Sequence, residues 1–190
     1  MILPIVAYGS PILRKTAVNI SPDYPDLQNL INNMWETLYA SSGVGLAAPQ
    51  IDHSIRLFVI DASPYSIEDP QVASFKEVFI NAQIIEKKGE TLPFNEGCLS
   101  LPDIREDVTR FSEIRIKYLD ENFQPHDKIL YGIAARVVQH EYDHLDGKLF
   151  IDYLNNLKKI MLKSKLSDIS KGKINVSYKM KFPLSTKTKK

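Results

Sequence analysis

Two histidines four residues apart, with a glutamate directly after the first, constrain this chain more than any other feature: His140-Glu141-Tyr142-Asp143-His144. On an α-helix that spacing sets both imidazoles on one face, one turn apart, where they can grip a single metal ion. Glu141 then stands within reach of a water held by that ion. Two imidazoles with an adjacent carboxylate are the minimum set for metal-assisted hydrolysis. A blander reading competes, because an imidazole on a buried helix face is often a hydrogen-bonded core residue. Two of them sharing a face with Ile133 and Val137 favour the metal. The fold must then bring a third ligand, an oxyanion site and a place for substrate to this helix.

The long metallopeptidase form of the motif ends in a third histidine, and here Phe150 stands in that place. His53 and His126 lie in polar neighbourhoods and read as surface residues. Cys98 is the single thiol, flanked by Gly97 and Leu99. A Cys-His-His set with an open fourth position is sound for a catalytic metal. Asp146 and Asp152 are weaker alternatives, and Cys98 taken alone reads as a small buried hydrophobe. One cysteine excludes an internal disulfide and fits a reducing cytosol.

Around the motif the chain alternates strands and helices. Leu27, Leu30, Ile31, Met34 and Leu38 recur at steps of three and four, an amphipathic helix. Gly43-Val44-Gly45-Leu46-Ala47-Ala48-Pro49-Gln50 lacks the Lys-Ser/Thr of a phosphate loop and the third glycine of a dinucleotide loop. Its glycines imply backbone held close to a neighbouring segment or to a ligand. Residues 55–60, 77–85, 108–111 and 113–119 read as strands, and 61–74, with Pro64 and Pro70, as a surface loop. Ile129, Ile133, Val137, His140 and His144 mark one helical face, with Asp127 as its cap. A basic helix over 155–166 and a late strand over 173–181 follow, and the Lys-rich end is frayed. The expectation is an α+β fold, mixed or antiparallel sheets packed around a central metal-binding helix carrying His-Glu-x-x-His.

With 190 residues, 44% of them hydrophobic and 25% charged, the chain reads as one soluble domain. No run approaches the roughly 18 apolar residues of a membrane span, and the first residues carry neither a secretory nor a transit signal. A cytoplasmic protein without membrane contact is expected. The net charge of +1 hides an asymmetry, since residues 158–190 hold eleven lysines against one acid, Asp168. Such a tail fits an anionic partner such as RNA, and equally a solvated end that keeps the protein soluble.

Three separated motifs resemble those of the peptide deformylases, in that family's order: Gly43 to Gln50, Glu96-Gly97-Cys98-Leu99-Ser100, and Gln139 to Gly147. Pro11 to Lys15 is also similar to the family's N-terminal segment. The resemblance implies a catalytic domain over 1–157 that hydrolyses the N-formyl group of the initiator methionine of nascent polypeptides, releasing formate. It implies Cys98, His140 and His144 as ligands of one divalent ion, Fe²⁺ expected with Zn²⁺ or Ni²⁺ possible, and Glu141 as general base and acid. Gln50 and the Leu99 N–H carry over as donors to the formyl oxygen, and the main chain of Gly43, Val44, Gly45 and Gly97 as flanks for an extended peptide. Ile133 and Val137 are candidates for the methionine pocket, or ordinary core. Glu96 and Arg105 are expected as an ion pair holding the Cys98 loop.

Residues 158–190 are read as a basic extension packed on the same domain. Some bacterial members dock on the ribosome through a C-terminal helix, so ribosome or rRNA contact is a partner to consider, although the late strand makes a helical anchor unsafe to transfer. Two alternatives remain in view: a general metallopeptidase, which leaves Cys98 and residues 43–50 unexplained, and a non-catalytic RNA-associated metal domain, which has no use for Glu141.

Overall fold

The computed structural model describes residues 1–183. In chain order the elements are β1 (Ile5–Val6), α1 (Leu27–Ala40), β2 (Gly45–Ala47), β3 (Leu57–Asp61), β4 (Lys76–Cys98), β5 (Leu101–Leu119), β6 (Pro125–Tyr131), α2 (Gly132–Leu145), α3 (Asn156–Ser170) and β7 (Met180–Lys181). Strands β2 to β6 form one antiparallel sheet in sequential order, while β1 and β7 pair in parallel as a separate two-stranded sheet.

Strand β3 explains the layering. Its alternate residues point to opposite faces. Phe58 and Ile60 join the cluster that contains Ala134, Ala135 and Val138 of α2, while Leu57 and Val59 join Leu30, Ile31, Met34 and Leu38 of α1. Strand β4 splits the same way, Phe79 toward α2 and Val78 and Ile80 toward α1. A strand covered on both faces reads as an unbroken apolar run, which is what Leu57 to Ile60 is. Phe58 stacks on Phe79 with ring centroids 4.6 Å apart. Each such ring removed from water contributes about 1.5–3 kcal/mol.

Strands β4 and β5 form a long twisted ribbon. Register shifts near Ile80, Ile84, Lys88 and Gly97 let it bend, because each irregularity adds local twist. The ribbon turns through only Leu99 and Ser100, with Cys98 paired to Leu101. Cys98 is therefore the last residue of β4, held at a tight corner. The next cluster, with Ile104, Val108, Phe150, Leu154, Leu166 and Ile169, buries this end of the ribbon under the 3-10 turn Phe150–Tyr153 and α3.

The structure corrects the fold expectation. An α+β fold with an antiparallel sheet and helices is present, but the metal-ligand cluster is Cys98, His140 and His144, not a His-Glu-x-x-His helix motif. The helix supplies only two of its atoms, and the ribbon supplies the third. Asp127 and Ile129 also lie in β6 rather than on α2. Pairing with β5 decides this: Asp127 takes two hydrogen bonds of 2.8 Å from Arg115, and Ile129 is half exposed. Helix α2 starts at Gly132, where a φ of +53° suits a residue without Cβ.

Helix α3 is longer than its sequence pattern, with Asn155 accepting from the Lys158 N–H at 2.9 Å as its cap. The late strand is shorter: only Met180 and Lys181 pair, with Ile5 and Val6. The Lys-rich end, expected to be frayed, falls largely outside the described residues. Loop 61–74 folds into two 3-10 turns, Ser63–Tyr65 and Pro70–Val72, with Val72 buried. Among the described residues no helix is long and apolar enough to cross a membrane.

Candidate metal centre and active site

Helix α2 places His140 and His144 one turn apart, and the corner at the end of β4 delivers Cys98 to them. The candidate ligand atoms of the three residues all lie within 4.8 Å of one another, and Cys98 Sγ is 3.4 Å from His144 Nε2. In a tetrahedral site with metal–sulfur and metal–nitrogen bonds of about 2.3 and 2.1 Å, two such atoms stand roughly 3.6 Å apart. His140 Nδ1 bonds Glu96 Oε2 at 2.9 Å, which leaves Nε2 for the cluster. One thiolate and two imidazoles suit a divalent transition metal. Glu141 adds a second mark of fit, since its buried Oε2 has no hydrogen-bond partner. An isolated buried carboxylate oxygen is costly, and a water held at the metal would satisfy it. Asp146 and Asp152 are not in the cluster; they pair with Arg56 and Arg14.

Titration directions follow from burial and charge. Burial pushes the Glu141 carboxyl up to about 7, against the opposing effect of His140. Burial and the charge of His140 hold His144 well below the ordinary imidazole value. His140 lies well above it, because hydrogen bonds to Cys98 and Glu96 overcome its burial.

Behind the ligands lies a buried charge network. Glu96 receives Arg110 at 2.6 and 3.0 Å and Arg136 at 3.1 Å, besides His140. Arg110 continues to Asp143 at 2.8 Å, and Asp143 accepts the Tyr153 hydroxyl at 3.0 Å. Burial disfavours the Glu96 charge, but hydrogen bonds from His140 and Arg110 and their charges outweigh it and hold the carboxyl at about 2. The expected Glu96–Arg105 pair is absent: Arg105 lies on the exposed rim of the cleft beside Gly97 and donates to Asn95 Oδ1 at 2.8 Å and Asn95 O at 2.7 Å. Arg110 is on the inward face of β5 with Ile104 and Val108, whereas Arg105 is on the outward one.

Glycines let the chain close round the site. A Cβ on Gly45 would stand 2.7 Å from Cγ and Cδ of Glu141, and one on Gly43 would stand 2.8 and 2.9 Å from the Leu38 and Leu99 side chains. Gln50, 1% exposed, is oriented by the Ala47 N–H, which donates to its Oε1 at 2.8 Å. Its Nε2 then faces Cys98 Sγ at 3.4 Å and Ser100 Oγ at 3.3 Å. These residues open on a cleft of about 490 Å³ lined also by Val44, Gly97, Leu99 and Val137.

The family model described as polypeptide deformylase matches residues 2–160. The chain belongs to the peptide deformylase family. It is 54% identical to a peptide deformylase of Christiangramia forsetii over the whole of both chains. A second relative, from Flavobacterium johnsoniae, is 49% identical over 98% of this chain and 99% of its own. Among solved structures, the peptide deformylase of Legionella pneumophila superimposes with a TM-score of 0.79 at 38% identity, covering 91% of this chain and 98% of that one.

Within this deformylase site the sequence-derived residues divide. Cys98, His140, His144, Glu141, Gln50, Leu99, Gly43, Val44, Gly45, Gly97 and Val137 converge on the cleft, and Glu96 supports it from behind. Ile133 does not line it; the residue packs on the core cluster of β3 and α2. Four participants escaped the sequence reading. Arg110 and Asp143 belong to the buried network. Arg136 stands one turn before His140, an i,i+4 spacing that could have marked it; its guanidinium lies 5.1 Å from the Phe94 ring. Tyr65, from the 61–74 loop, reaches the cleft beside Phe94, and no local signal foretold that.

Proposed function

We propose that this deformylase cleaves the formyl amide of N-formylmethionyl nascent polypeptides, releasing formate, with one divalent ion at Cys98, His140 and His144. Family membership and the Cys-His-His cluster make the chain a metal-dependent deformylase. One observation carries the mechanistic reading: the partnerless Glu141 carboxylate oxygen beside that cluster, at the floor of a cleft. The ion, Fe²⁺ in our assignment with Zn²⁺ or Ni²⁺ able to take the same ligands, supplies Lewis-acid activation of water and of the formyl carbonyl.

The chain's own residues do the rest. Glu141 takes the proton of the attacking water and returns it to the departing amine. A carboxyl raised by burial toward neutrality is matched to both transfers. The Gln50 amide, fixed by Ala47, and the Leu99 N–H donate to the oxygen as charge develops on it. Glu96 orients His140, and Arg110 holds Glu96, so ligand geometry is set before substrate arrives. Gly43 to Gly45 and Gly97 flank an extended peptide, and Val137 contributes to the wall of the methionine pocket. Residues 1–157 are the catalytic domain and 158–190 a basic extension on it. Exposed Lys159, Lys163 and Lys165 on α3, beside exposed Leu157, Ile160 and Met161, support a ribosomal or rRNA contact. A cytoplasmic location accords with a single free cysteine.

The test is formate release from a formyl-Met peptide by protein purified without air, alongside cleavage of an unformylated peptide. Glu141→Gln should retain bound metal and lose turnover by about 10²-fold or more. Wild-type rates of formate release in that variant would remove Glu141 from the mechanism.

A further inference from the structure

The family match ends at residue 160, yet the cleft does not. After α3 the chain reverses at Gly172 (φ +70°), and Asn175, Val176, Ser177 and Tyr178 come back to line the same cleft as Cys98 and Glu141. Four kinds of contact hold this segment. Ile5 and Ala7 donate backbone hydrogen bonds of 2.9 Å to Lys179 O and Lys181 O. Ile174, Met180 and Phe182 pack on the core beneath, and Lys181 pairs with Asp52. The Tyr178 hydroxyl donates to the Leu99 carbonyl at 2.8 Å, one residue from the ligand Cys98.

The stretch so anchored keeps its own polar backbone uncommitted. Among the described residues no backbone hydrogen bond engages the peptide groups of residues 174–178. Its side chains alternate, Val176 and Tyr178 half-buried, Asn175 and Ser177 exposed. That is the surface an extended peptide recognises: spare N–H and C=O groups for main-chain bonds, with apolar contacts at every second position.

We propose that Asn175–Ser177 is the wall of the cleft that contacts the substrate residues following the formylated methionine, and that Tyr178 is the positioning residue that ties this wall to the Leu99 turn. The proposal rests on the deformylase reading above. It assigns the late segment a part in substrate selection: the ligand is the extended peptide beyond methionine, and the formyl group is left to the metal centre with Glu141, Gln50 and Leu99.

The experiment compares a formyl-Met amide, which has no following residue, with a formyl-Met tripeptide, in wild type, Tyr178→Phe and Val176→Gly. Releasing the wall from the Leu99 turn (Tyr178→Phe) or removing its apolar contact to the longer substrate (Val176→Gly) should lower the tripeptide-to-amide ratio of kcat/KM about 3- to 10-fold. The loss should appear in the KM of the tripeptide, with its kcat little moved. Tyr178→Phe removes one oxygen atom, and its urea midpoint shows whether the fold is kept; Val176→Gly carries the test should Tyr178→Phe unfold. A ratio within twofold of wild type in the folded variants, or equal losses on both substrates, would overturn the wall. Absence of formate release by the wild type from either substrate is a different failure, that of the deformylase reading.

Discussion

Replacing Glu96 by Gln keeps the shape of the side chain and removes the charge that Arg110, Arg136 and His140 share. The gap between the ordinary glutamate value of 4.5 and the folded value of about 2 corresponds to about 3.4 kcal/mol of preference for the charged form. Breaking a buried ion pair from one side gives a similar figure, roughly 3–5 kcal/mol, since the partner charges stay buried. Because the folded pKa is depressed, this stabilisation is complete above pH 4.5 and is lost as pH falls toward 2. At pH 3 about 1.4 kcal/mol of it remains. Urea unfolding at pH 7 should therefore show Glu96→Gln shifted down by about 1–3 M, with less than half that energetic difference at pH 3. A variant as stable as wild type at pH 7, or one equally destabilised at both pH values, would refute the assignment of Glu96 as the charged hub.

Gly45→Ala should fold, since only side-chain atoms oppose the new methyl, but Glu141 must shift to admit it. A displacement near 1 Å at the reacting groups costs about 10²-fold in rate, measured as formate release with the urea midpoint as control. Cys98→Ala should lose stoichiometric metal in elemental analysis, because two imidazoles on α2 leave a catalytic site short of its three protein ligands; full occupancy would remove Cys98 from the ligand set.

Much of this was legible because it is local. The steps of three and four in α1, the unbroken run of β3 and the pair His140 and His144 each announce themselves within a few residues. Errors arose where distant partners decide. Ile129 continues the helical spacing of Ile133 and Val137, yet pairing with Arg115 on β5 claims it for a strand. Arg105 and Arg110 are both basic residues following Glu96, and only the inward phase of β5 shows which one it meets. Residues 77–85, 108–111 and 113–119 read as separate short strands, whereas register shifts carry one ribbon through Lys76–Cys98 and Leu101–Leu119. The alternation of 174–178 was visible, but its failure to find a strand partner was not.

Cys98 and His144, 46 positions apart, would share the ion, which adds a link between the tip of the ribbon and the far end of α2 to those that Glu96–His140 and Arg110–Asp143 already make. Metal occupancy is thus a mechanical tether as well as a chemical requirement, and by mass action it adds about 4 kcal/mol of stability at a thousandfold excess over the dissociation constant. A chelator should loosen the Leu99–Ser100 corner before the core around Phe58. The part of the molecule that meets substrate is then also the part that gains most from the metal, so in a cell short of the ion the cleft would loosen before the core.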